Sequence, residues 1–223
     1  MRAVSLFLLA FFCWPGVPGF SAPAERLFIR PWIELEPLAL IGPGPYPLPV
    51  TDAEKALLEN ARVLFSGMVY GWSFLYIPGD VGRRVAETFT LTPIATIAEG
   101  NPRLHVVETE ASDTRLWARI AYTMADDEQA RRMAWESNVA AMASGEGTAA
   151  VAGGAAARAQ SLSSAIRDAI RRALDTRYVN KPRQITGDVL LWDDPQVLVR
   201  DGVFATDVTV KLMVRELVPY RIY

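Results

Sequence analysis

The clearest periodicity in the chain runs through Leu162, Ala165, Ile166, Ala169, Ile170, Ala173 and Leu174, which step by three and four. That spacing puts them on one stripe of a helix, predicted over about 159–178, with Arg167, Asp168, Arg171, Arg172 and Asp175 on the other side. Asn180 and Pro182 follow where a helix stop belongs. A second helix is predicted to open at Thr51, because Thr51 and Glu54 have capping-box spacing. Leu57, Leu58, Ala61, Leu64 and Phe65 follow at helical spacing, and the helix is expected to end near Ala61 to Leu64. Asp126-Asp127-Glu128 is an acidic start for a third helix, reaching to about Met142.

Elsewhere the period is two. Leu64, Met68, Tyr70, Trp72, Phe74 and Tyr76 alternate with smaller or flanking residues and predict a strand over 64–77 with one aromatic face. Val85, Glu87, Phe89 and Leu91 alternate with Ala86, Thr88, Thr90 and Thr92, a strand whose threonines face water. Residues 104–110 and 114–124 read as a hairpin, with Leu116, Ala118, Ile120, Tyr122 and Met124 sharing a face. The last third adds strands at 185–192 and 196–200. Asp201-Gly202, a strong hairpin signal, then leads into a strand over 203–215. Residues 26–36 hold a short strand that Pro31 would place at an edge. Gly145-Glu146-Gly147 and Gly153-Gly154 predict a loop or frayed connection. The fold class expected is α+β: a largely antiparallel sheet with two or three helices packed on one face.

The ends change the picture. Arg2 followed by the apolar run Ala3–Phe12, broken by Pro15 and Gly16, has the layout of a signal peptide. The run is far shorter than the roughly 20 residues of a membrane-spanning helix. A cut after Ala22 gives three parts: residues 1–22 as signal peptide, 23–50 as an extended proline-rich segment, and 51–223 as a single α+β domain. Cys13 is the sole cysteine. Lipid attachment there is disfavoured, because Phe11 and Phe12 are bulky where small residues are wanted. The mature body then has no thiol. A net charge of −2 and no basic cluster give no reason to expect nucleic acid.

Candidate chemistry is thin. His105 is the one histidine and lies in a predicted strand; a histidine zinc site needs more ligands than this chain owns, and a hydrolase triad would need Glu108 or Glu110 brought to His105 by the fold. No Gly-x-Ser-x-Gly elbow occurs. The acid pairs Glu34 with Glu36, Glu108 with Glu110 and Asp193 with Asp194 match solvated strand faces and turns better than a glycosidase pair. Glu87 shares the face of Val85 and Phe89, so it either meets an arginine or sits at a rim. The glycines at 145–147 and 153–154 lack the lysine and strand context of a phosphate loop. No cofactor and no metal are expected.

The most suggestive surface is the set Tyr70, Trp72, Phe74 and Tyr76. Core packing is its ordinary use, and the same four are the candidate ligand- or partner-binding face. The expected function is an exported, non-enzymatic protein of the periplasm or cell envelope, acting through contact with an envelope protein partner. The alternative is a small-ligand or lipid-binding periplasmic module using the aromatic strand, with peripheral membrane contact. Replacing Ile166 by Asp would put a lone charge on the buried stripe. It is expected to lower stability by about 4 kcal/mol or more, read as a fall in the unfolding midpoint.

Overall fold

The computed structural model describes residues 25–36, 47–112, 114–137, 139–175, 178 and 181–220. Residues 1–22, expected to be a signal peptide, with Cys13 among them, and most of the proline-rich stretch at 42–49 lie outside the described residues. The architecture is α+β, with ten strands in two antiparallel sheets and three α-helices among the described residues.

The first sheet is built on β6 (Arg115–Thr123). Strands β1 (Arg26–Ile29) and β2 (Trp32–Glu34) lie end to end along one of its sides. Strand β5 (Leu104–Ala111) lies along the other, with a bulge between Val106 and Glu108. Residues 26–34 are therefore paired into the body, although the expected domain boundary falls at 51.

The second sheet runs β4 (Thr88–Pro93), β3 (Trp72–Ile77), β8 (Gln184–Leu191), β10 (Val203–Val218) and β7 (Ala141–Ala150), with β9 (Gln196–Arg200) also on β10. The β9–β10 turn is the expected one: Asp201 and Gly202 both take positive φ, at 51° and 76°.

Helix α1 (Val50–Val69) opens within one residue of the expected Thr51 but differs from expectation in its cap and its end. Pro49 stands at its N-cap and no side chain caps it, so the Thr51–Glu54 box is not used. Nor does it stop at 61–64. Leu57, Ala61, Leu64, Phe65 and Met68 keep the three-four step and are all buried, so packing carries the helix through the residues expected to begin a strand. Its end is set by Gly71, whose φ of 71° reverses the chain, while the amides of Tyr70 and Gly71 both donate to the carbonyl of Ser66. The strand with the aromatic face thus begins at Trp72.

Helix α2 (Asp126–Ala134) ends eight residues short of the expected limit, and the stretch expected to be a loop is strand β7. The reason is its partner. Helix α3 (Gly154–Asp175) lies directly on β7, with Gly145, Gly147 and Ala149 buried between them. A Cβ at Gly145 would stand 2.3 Å from the Ala165 carbonyl oxygen and the Ala169 nitrogen; at Gly147, 2.2 Å from the Ser161 carbonyl oxygen. Only glycine permits that approach. The buried Ser161 and Thr206 hydroxyls, 2.7 Å apart, tie the same helix to β10.

Helices α1 and α3 share one core with both sheets. At its edge Arg158 of α3 reaches β2, where it donates to both carboxylate oxygens of Glu34 (3.0 and 3.1 Å) and covers the ring of Trp32 at 4.2 Å. Trp32 donates from Nε1 to the Val197 carbonyl at 3.1 Å, joining the first sheet to β9.

Replacing Gly147 by Ala is expected to destabilise the fold by about 2–3 kcal/mol, the upper part of the overpacking range, because the added methyl meets helix backbone rather than a movable side chain. Ser144→Ala, exposed on the same strand, is the control and should leave the denaturant midpoint within about 0.5 kcal/mol of the parent.

Candidate functional site

The structure divides the four candidate aromatics. Trp72, Phe74 and Tyr76 are at most 9% exposed and face the core, so β3 presents no open aromatic face. The Trp72 ring lies over Gly67 of α1, and that of Phe74 over Gly187 of β8. Tyr70 is not on the strand; it caps α1 and turns toward α2.

Two buried side chains hold α2 in place, and both are charged: Glu128 and Arg132. They are four residues apart, hence on one face of the helix. Glu128 is fully satisfied. It accepts from Tyr70 Oη (2.5 Å), Tyr122 Oη (2.8 Å), Arg103 Nη1 (2.9 Å) and the amide of Ala125 (2.8 Å). Burial pushes its carboxyl up, but these donors outweigh burial and hold the pKa below its ordinary 4.5. Burial first, then the Glu128 carboxylate, pushes the Tyr70 hydroxyl up to about 12 and raises Tyr122 in the same sense. With its demand met internally, this cluster is a joint: it fastens α2 to the end of α1 and to β6.

Arg132 has no such balance. It donates to the carbonyls of Met68 and Trp192, both at 3.0 Å, and covers the Trp192 ring at 4.4 Å. Lys211 of β10 approaches the same ring at 3.9 Å and donates to the Trp135 carbonyl at 2.7 Å. Both cations are at least nine-tenths buried, and among the described residues neither has a carboxylate within ion-pair distance. Burial lowers the Arg132 pKa; Glu25, Asp193 and Glu136 act on it only through longer-range charge. Sharing one ring places the two charges no more than about 8 Å apart, a repulsion of about 2 kcal/mol at an effective dielectric near 20. Sequence reasoning missed this cluster. The only available signal was a lysine amid the Val208, Val210 and Leu212 alternation.

An opening lies between α1, β5 and β6. A pocket of about 320 Å³ is lined by Glu54, Leu57, Leu58, Val106, Thr109 and Ala118. Strand β5 pairs only with β6 among the described residues; Val106 and Val107 are 39% and 48% exposed.

The remaining candidates have ordinary settings. His105 is exposed on β5. Glu34 is buried against Arg158 while Glu36 is exposed, and Glu110 meets Arg30 at 2.7 Å. Glu87 does meet an arginine, Arg171, at 2.7 Å. Among the described residues no group of three or more His, Cys, Asp or Glu could hold a metal ion, and no helix is long and apolar enough to cross a membrane.

Because the Glu128 pKa is depressed on folding, its stabilisation is present above pH 4.5 and is lost as pH falls through the folded value. The raised Tyr70 value has the opposite sense: full stabilisation below pH 10, lost as pH rises toward about 12. Glu128→Gln is expected to lower stability at neutral pH by about 2–3 kcal/mol and to flatten the acid limb. Ultraviolet titration should move part of the tyrosinate signal back toward pH 10.

An uncharacterized protein of Treponema pallidum (strain Nichols) is 26% identical over 193 residues, covering 86% of this chain and 81% of that protein. No solved structure matches. A family model matches residues 19–220, nearly the whole chain, and the protein belongs to that uncharacterised family.

Proposed function

We propose that the protein is an exported, non-enzymatic component of the cell envelope that works by binding another protein along β5. The observation that carries this reading is the exposed edge of β5 beside an apolar pocket. A strand whose outer backbone groups have no neighbour is a template for an added strand, and alternate side chains of the incoming segment need a recess to enter. Leu57, Leu58, Val106 and Ala118 supply an apolar recess; Glu54 at its lining favours a partner with a basic residue in that register. Export rests on the Arg2 to Phe12 pattern.

The test is site-specific photocrosslinking in the native envelope. A crosslinker at Val107 is expected to give one discrete adduct, and one at Val81, 97% exposed and far along the chain from β5, to give none. Equal labelling at both positions would remove the β5 reading. The intact mass of the protein from its host is expected to lack residues 1–22; a full-length cytosolic species would remove the export reading.

A further inference from the structure

We propose that Arg132, Lys211 and Trp192 form a binding site for a phosphate group, separate from the β5 groove. Three features meet at this place. The first is surplus charge. Arg103, Arg158, Arg171 and Arg215 each meet a carboxylate, whereas Arg132 and Lys211, the most buried cations of the described chain, meet only carbonyls and an indole. Desolvated charge without a counter-charge is costly, and a bound anion removes that cost.

The second feature is donor capacity. A guanidinium has five N–H donors and an ammonium three. Arg132 commits two, to Met68 and Trp192, and Lys211 commits one, to Trp135. The remaining donors are the ones an oxyanion would engage. The third is access. Trp192 is only half-buried, and the exposed Met142 is the cross-strand neighbour of Lys211 on the same face of the sheet. Two positive charges match a phosphate monoester, which carries about −1.5 to −2 at neutral pH, better than a single carboxylate. Exposed Glu25, Asp193 and Glu136 stand beyond ion-pair distance and are screened by solvent, so they weaken the site without filling it.

The experiment follows the Trp192 indole resonance of the full chain, assigned with Trp192→Phe, during titration at constant ionic strength. Inorganic phosphate is expected to shift it saturably, and at least about tenfold more tightly than acetate. Lys211→Met is expected to weaken phosphate binding by about tenfold or more, the loss of one charged hydrogen bond, while Lys211→Arg retains it. Arg132→Lys, which keeps the charge and loses the planar fork, is expected to fall between. In a parallel arm, sedimentation with phosphatidic acid vesicles but not phosphatidylcholine vesicles, reversed by free phosphate, assigns the phosphate to a lipid headgroup. Phosphate binding without sedimentation assigns it to a soluble ligand. No saturable phosphate response, or one unchanged by a folded Lys211→Met or Arg132→Lys, would overturn the proposal.

Discussion

Helix α3 rests on strand β7 with no strand side chain between them at Gly145 and Gly147. At Gly145 and Gly147 the distance is set by main-chain atoms of Ser161, Ala165 and Ala169. Ordinary helix–sheet packing is held apart by interleaved side chains and tolerates a change of one or two methyl groups. Here the spacing has no slack, so the helix is fixed in height and direction by the strand. Its large residues Ile166, Ile170 and Leu174 are then available for the shared core, while Arg158 near its start reaches Glu34 and Trp32 of the first sheet. That reach adds to the Trp32–Val197 hydrogen bond in tying the first sheet to the second.

A second economy concerns α2. Nine residues with no buried apolar side chain cannot dock by the hydrophobic effect. Charge docks it instead. Glu128 gathers two tyrosine hydroxyls, an arginine and a backbone amide, and the low local dielectric strengthens all four contacts together. Arg132, one turn on, is then carried into a place where no acid waits for it. The helix is thus fastened at one end by a balanced charge and at the other by an unbalanced one.

Much of the fold was legible because hydrophobic periodicity reports burial directly. The α3 stripe, the β6 face from Leu116 to Met124 and the Asp201-Gly202 turn all carry strong local signals, and all stand where expected. Strand β7 was illegible for a physical reason. Its buried face is Gly145, Gly147 and Ala149, which has no apolar contrast with its exposed face, and glycine locally favours loops. The extension of α1 was hidden by an accident of pattern. Residues 64–70 satisfy both periods, and the tertiary stripe decides for the helix. The site was the least legible part. A charged residue in a polar helix reads as solvent-facing, and nothing local to Arg132 or Lys211 says that both will lie against Trp192, sixty residues from one of them.

That asymmetry bears on where function resides. The β3 aromatics looked like a surface because aromatic alternation is conspicuous, yet conspicuous apolar pattern is what a core requires, and Trp72, Phe74 and Tyr76 are used there. A binding site is better sought where the fold departs from its own economy. The described chain gives carboxylate partners to Arg103, Arg158, Arg171 and Arg215, all more exposed than Arg132, and so needing them less. A fold selected only for stability would place an acid beside Arg132 and Lys211, or replace both by apolar residues of similar volume at little cost. Keeping two buried cations around one indole costs stability that an incoming anion would recover, and the recovered energy is what would make the proposed site bind.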